Sequence, residues 1–92
     1  MREKLAIIRG PQIRAARAML RLTSQELADL AGVSRDMIKR AERDTPVPHL
    51  HMSGLATIKE VLEKAGVVFL PDEAENVCGV ALRKGWNSRP SD

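Results

Sequence analysis

The sequence predicts a mainly α domain of four to five helices closed by a C-terminal β-hairpin. Three observations carry that expectation. Apolar residues recur at helical spacing through residues 11–66, as in Ile13, Ala16 and Leu20 and again in Leu55, Ile58, Leu62 and Ala65. Between them, Ala28, Gly32 and Ile38 stand at the fifth, ninth and fifteenth places counted from Ser24, where two short helices would have to cross closely. After Gly66 the period shortens: VVFL (67–70) and VCGVALRK (77–84) read as strands on either side of the polar turn PDEAEN. Ninety-two residues, 43% of them apolar, suit one compact domain with a core of its own.

Taken in order, residues 1–10 form an N-terminal tail or short strand. Leu5, Ile7 and Ile8 suit an edge strand or a packed segment, whereas Arg2 and Lys4 suit an arm. The first helix should begin at Pro11, whose missing N–H costs nothing at a first helical position. Ile13, Ala16 and Leu20 then share a face, with Met19 beside them, and Arg14, Arg17 and Arg21 spread around a helix that has no acidic residue. The second helix carries a capping box, Thr23 with Glu26 three places later, and turns Leu27, Leu30 and Ala31 inward. Gly32 supplies the positive φ that ends it sharply. Ser34 caps a third helix running from Arg35 to about Arg43, with Val33 and Ile38 plugging the corner and Ala41 turned inward. Residues 44–52, DTPVPHLHM, form a connection broken by Pro46 and Pro48. Ser53 caps the fourth helix, which buries the stripe named above, exposes Lys59, Glu60, Glu63 and Lys64, and ends at Gly66. The second strand should be interrupted near Gly79. An isolated hairpin is marginal in water. It must therefore pack on the helices, gain a strand from residues 1–9, or pair with another copy. Residues 85–92 read as a loose tail, with Trp86 available to dock on an apolar surface.

Composition excludes several classes. No apolar run approaches the ~20 residues that span a bilayer, and MREKLAIIRG lacks the long apolar stretch and cleavage site of a signal peptide. The lone Cys78 excludes an internal disulfide, and a cytoplasmic protein is expected. His49 and His51 have no zinc-finger spacing to Cys78, so no metal is expected. Cys78 reads as a small buried hydrophobe. Asp72, Glu73 and Glu75 read as a solvated turn, being too few and irregular for a calcium loop. No nucleophile motif, phosphate-cradling glycine loop or paired carboxylates stand out. Neither an enzyme nor a cofactor is expected.

Charge is more informative in its distribution than in its sum of +3. Residues 1–45 hold ten Lys/Arg against six Asp/Glu, and residues 46–92 five against six. The basic half is the one with the two crossing helices. The outward residues of the third helix are Arg35, Asp36, Lys39, Arg40 and Arg43. Helix, tight turn and basic second helix together make a helix-turn-helix, which places that second helix in a DNA major groove.

Over residues 11–65, IRAARAML followed by LTSQELADLAGVSRDMIKRAER resembles the Cro/phage-repressor-like (XRE) family. The resemblance implies a lambda-repressor-like DNA-binding domain, with base contacts from Arg35, Asp36, Lys39 and Arg40. Ser34 and Arg43 would lie beside the DNA backbone. Where the family often has a phosphate-holding glutamine, this chain has Ser24 with Gln25 one place later, and both are assigned to the backbone. The resemblance also implies a structural ion pair between Arg17 and Glu42.

The chemistry agrees. Arg35 and Arg40 can each offer a fork to guanine O6 and N7, whereas Lys39 is a point charge better suited to phosphate or a single acceptor. Asp36 can accept from cytosine N4, hold Arg40 four residues on, or simply favour the start of a helix. Holding Arg40 is preferred. The expected function is therefore sequence-specific binding of double-stranded DNA by a homodimeric transcriptional regulator, a repressor in the simplest case, with residues 67–84 as a dimerisation element. Two other classes stay open: an antitoxin that also holds a toxin, or a helix-turn-helix interaction module without DNA binding.

Overall fold

A computed structural model of the chain describes residues 8–43, 52–70 and 79–85. These residues form four helices and one two-stranded antiparallel sheet: α1 (Gly10–Met19), α2 (Ser24–Ala31), α3 (Arg35–Ala41), α4 (Met52–Lys64), β1 (Val67–Leu70) and β2 (Gly79–Leu82). Among the described residues no helix is long and apolar enough to cross a membrane.

The core follows from the apolar periodicity. Ile13, Ala16 and Leu20 of α1 and its end, Leu27, Ala28 and Ala31 of α2, Ile38 and Ala41 of α3, and Leu55, Ile58, Leu62 and Ala65 along α4 form one buried cluster. Ile8, which suits a packed segment as well as a tail, belongs to it too, at 5% exposure. Met19 does not: it is 37% exposed. Leu30 and Val33 pack against the cluster while half-buried.

Several boundaries differ from expectation, each for a local reason. Helix α1 starts at Gly10 rather than Pro11, because Gln12 returns its Oε1 to the Arg9 N–H at 2.7 Å and so caps the helix one residue earlier. Arg21, at φ 60°, ends α1 in the left-handed conformation that glycine adopts more cheaply. Helix α3 stops at Ala41, with Glu42 at its C-cap, short of Arg43. Helix α4 begins at Met52, so Ser53 lies within it rather than capping it. Gly79 is the first described residue of β2 and pairs with Leu70, so an interruption before it lies outside the described residues; the strand ends at Leu82 rather than Lys84. The expectations for residues 1–7, the 44–51 connection with His49 and His51, the 71–76 turn, Cys78 and Trp86 lie outside the described residues.

The hairpin packs on its own helices, β1 against α4 and β2 against α1. Val67 and Phe69, with their cross-strand partners Leu82 and Val80, face the core. Lys59 Nζ sits 6.0 Å from the Phe69 ring centroid while also pairing with Glu63 at 2.7 Å. The decisive tie is polar. Gln12, 4% exposed, donates from Nε2 to Leu70 O at 3.1 Å and to Gly79 O at 2.9 Å. One amide thus joins α1 to both strands at once. Gln12→Leu keeps the volume but removes these bonds, and should cost about 2 kcal/mol, since each part-buried acceptor left unpaired carries a desolvation penalty. Urea unfolding measures this directly; an unchanged midpoint would mean that water replaces the amide.

Candidate nucleic-acid interface

Helix α2 positions the site. Its capping box forms as the sequence requires: the Glu26 N–H donates to Thr23 Oγ1 at 3.0 Å, and the Thr23 N–H donates to Glu26 Oε1 at 2.9 Å. Two orphan donors are satisfied, which is worth about 1 kcal/mol. At the other end Gly32 takes φ 69°, and the following Val33 N–H donates back to Ala28 O at 3.0 Å. This left-handed step reverses the chain within three residues and delivers it to Ser34. The Ser34 Oγ then accepts from the Met37 N–H at 3.0 Å and starts α3.

Two residues hold α3 by its inner face. Ile38 is fully buried and Ala41 is 5% exposed, and Ala28 of α2, itself fully buried, lets the helices approach. Met37 rests on α4 at Gly54.

The C-terminal end of α3 is fixed by the ion pair that the resemblance implied. Arg17 Nε contacts Glu42 Oε2 at 2.6 Å, and Arg17 Nη2 donates to Glu42 Oε1 at 3.0 Å. The same guanidinium donates from Nη1 to Leu22 O at 3.1 Å, so one side chain joins α1, the α1–α2 turn and α3. The hydrogen bonds to Glu42 raise the Arg17 guanidinium above its ordinary value; burial opposes the rise and Coulombic attraction adds to it. Sequence reasoning missed two further contacts at this corner. Arg14 Nη1 donates to Glu42 O at 3.4 Å, and Gly10 lies directly against the backbone of Glu42 and Arg43.

With its inner face and far end fixed, α3 presents Arg35, Asp36, Lys39 and Arg40 on its exposed side, and Arg43 lies exposed just beyond. Asp36 Oδ2 pairs with Arg40 Nη2 at 3.0 Å across one turn, as the spacing predicts. Among the described residues, Arg35, Lys39 and Arg43 form no ion pair. Ser34 is exposed at the cap with its hydroxyl hydrogen still able to donate. Ser24 is half-buried and Gln25 exposed in the first turn of α2, where Gln25 Nε2 donates to Asp29 Oδ1 at 2.9 Å. This leaves Gln25 with its carbonyl oxygen and one N–H.

The arrangement offers forked donors, one carboxylate acceptor and several solvated cations on a rigid, convex helix. That is a binding chemistry for an anionic polymer that also displays hydrogen-bonding edges. No protein-family model matches the chain, and no curated protein matches it in sequence.

Proposed function

We propose that this chain is a sequence-specific double-stranded DNA-binding transcriptional regulator of the Cro/phage-repressor-like (XRE) kind, with a lambda-repressor-like fold. It acts in the cytoplasm and has no catalytic role. Helix α3 enters the major groove, and Arg35, Asp36, Lys39, Arg40, Ser34 and Arg43 face the duplex. Ser24 and Gln25, at the start of α2, lie toward the backbone. The observation that carries this reading is the contrast between the two sides of α3. Its inner side is fixed by Ile38, Ala41 and the Arg17–Glu42 pair, while its outer side is an exposed row of charge. A surface helix that needed only solubility would not require so firm a seat.

The hairpin supports a homodimer. Among the described residues its outward face, Val68 and Leu70 with their partners Ala81 and Gly79, has no polar side chain, and Leu70 is 45% exposed. Two copies would place two recognition helices on half-sites about one DNA turn apart, ~34 Å, or a multiple of it. Repression by blocking a promoter is the simplest outcome.

The test is selection of the purified chain on a random duplex library at two salt concentrations, followed by sequencing. The expected result is an enriched palindrome or pseudo-palindrome whose spacing matches a two-fold protein. Weak, salt-sensitive binding without enrichment would overturn the reading.

A further inference from the structure

The outer face of α3 is not uniform, and its division has a consequence. Arg35 and Lys39 stand four residues apart, with Arg43 four further on, just past the helix end at Ala41. None of the three forms an ion pair among the described residues. Asp36 and Arg40 form a second row, one position round the helix, joined at 3.0 Å into a pair of zero net charge. Within the helix, at 3.6 residues per turn, Asp36 and Arg40 each point about 100° round from the residue before them, Arg35 and Lys39.

We propose that the two rows do different work: the Asp36–Arg40 pair reads base edges, while Arg35, Lys39 and Arg43 hold phosphates. The assignment rests on the DNA-binding reading above and sharpens it, moving Arg35 and Lys39 from base contact to backbone contact.

Electrostatics separates the rows. An unpaired cation gains from each phosphate it meets, because condensed counterions are released. A neutral pair gains almost nothing there, and its carboxylate is repelled. Against base edges the preference reverses, since these present both donors and acceptors. A helix lying in the major groove meets bases at the floor and phosphates at the walls, and residues about 100° apart round it can address the two at once.

The pair also defines what it would read. Arg40 only donates, and guanine O6 and N7 are its natural acceptors. Ionised Asp36 only accepts, so it takes cytosine N4–H or adenine N6–H and rejects an edge that presents acceptors alone. The two groups are held in contact at 3.0 Å, so they can reach only bases that lie next to one another. The two groups therefore address neighbouring bases: a guanine beside a cytosine or adenine. Their side chains remain 66% and 51% exposed, so the pair adds little to stability and can be altered without unfolding the chain.

The experiment compares the full chain with Asp36→Asn, Asp36→Ala, Arg40→Ala, Arg35→Ala and Lys39→Ala. Each is measured on the duplex selected by the wild type and on its single-base variants, over a series of salt concentrations, with thermal unfolding as the check on folding. Both Asp36 variants should lose about tenfold of discrimination at one position, where the wild type demands cytosine or adenine, and keep the salt slope. Arg40→Ala should relax the neighbouring guanine. Arg35→Ala and Lys39→Ala should weaken all duplexes alike and flatten the log–log salt slope by about 0.9 each. If the Asp36 variants merely bind every duplex more tightly with base preference unchanged, Asp36 is a bystander and the proposal fails. A changed base preference in the Arg35 or Lys39 variants would equally overturn the division. Failure of the wild type to enrich any sequence is a different result, which removes the DNA-binding reading itself.

Discussion

Replacing Gly10 with alanine is expected to destabilise the chain by about 2–3 kcal/mol, the upper part of the range for overpacking. The sign is the point of interest. In a helix the same change ordinarily stabilises by about 0.5–1 kcal/mol, because glycine loses more backbone entropy on folding. Here a Cβ would overlap the Arg43 carbonyl oxygen and lie 2.7 Å from both C and O of Glu42. These are backbone atoms at the end of α3 and cannot swing aside. Either α1 moves away from α3 or the end of α3 unwinds, and both disturb the Arg17–Glu42 pair. Gly54→Ala in α4 is the natural control. Its Cβ would meet Met37 Cε at 2.8 Å and Sδ at 3.1 Å, the far end of a flexible side chain that can rotate out of the way. Gly54→Ala should therefore be neutral or slightly stabilising. Urea unfolding of the two variants decides between them. Equal midpoints would show that the α1–α3 contact yields without cost.

That contrast also shows how much the sequence could reveal. Features set by neighbours in the chain were legible: the Thr23–Glu26 capping box, the left-handed Gly32, the Ser34 cap, and the β1–β2 hairpin beyond Gly66. The Asp36–Arg40 pair was legible for the same reason, its partners being one turn apart. Features set by distant segments were not. Gly10 before Pro11 reads as the start of a helix, and nothing local announces that the end of α3 will lie against it. Gln12 gave a fainter signal. It lies four and eight residues before Ala16 and Leu20, on the buried stripe, where a polar side chain must find partners. The spacing could flag the requirement but could not name Leu70 O and Gly79 O as the acceptors. Arg21 was illegible in another sense. Its position after α1 calls for glycine, and the residue present gives no sign of a positive φ.

Arg17→Ala should cost about 3 kcal/mol, lowering the melting temperature by roughly 10–20 °C in a domain of this size. The loss arises less from the missing attraction than from what remains. Glu42, 8% exposed, would keep a carboxylate with both of its Arg17 bonds gone, and the Leu22 carbonyl would lose the same donor. The estimate sits at the low end for a buried pair because the Arg17 side chain keeps 21% of its surface in water. A double replacement, Arg17→Met with Glu42→Leu, separates the two origins. If stranded charge dominates, the double variant should recover most of the loss, since apolar residues of similar size often replace a buried pair without cost. If the bidentate geometry itself holds α3, the double variant should remain as unstable as the single one. The alkaline limb gives an independent check. Arg17 is raised in the folded chain, so its contribution is complete below its unfolded value and disappears only as pH rises through the still higher folded one. Stability should therefore show no loss attributable to Arg17 between neutral pH and pH ~10. A decline in that window that Arg17→Ala abolishes would contradict the charge state assigned to the pair. On the proposed function the double variant is the sharper probe. Restored stability with weakened binding to a selected duplex would show that Arg17 and Glu42 aim α3, beyond merely keeping the chain folded.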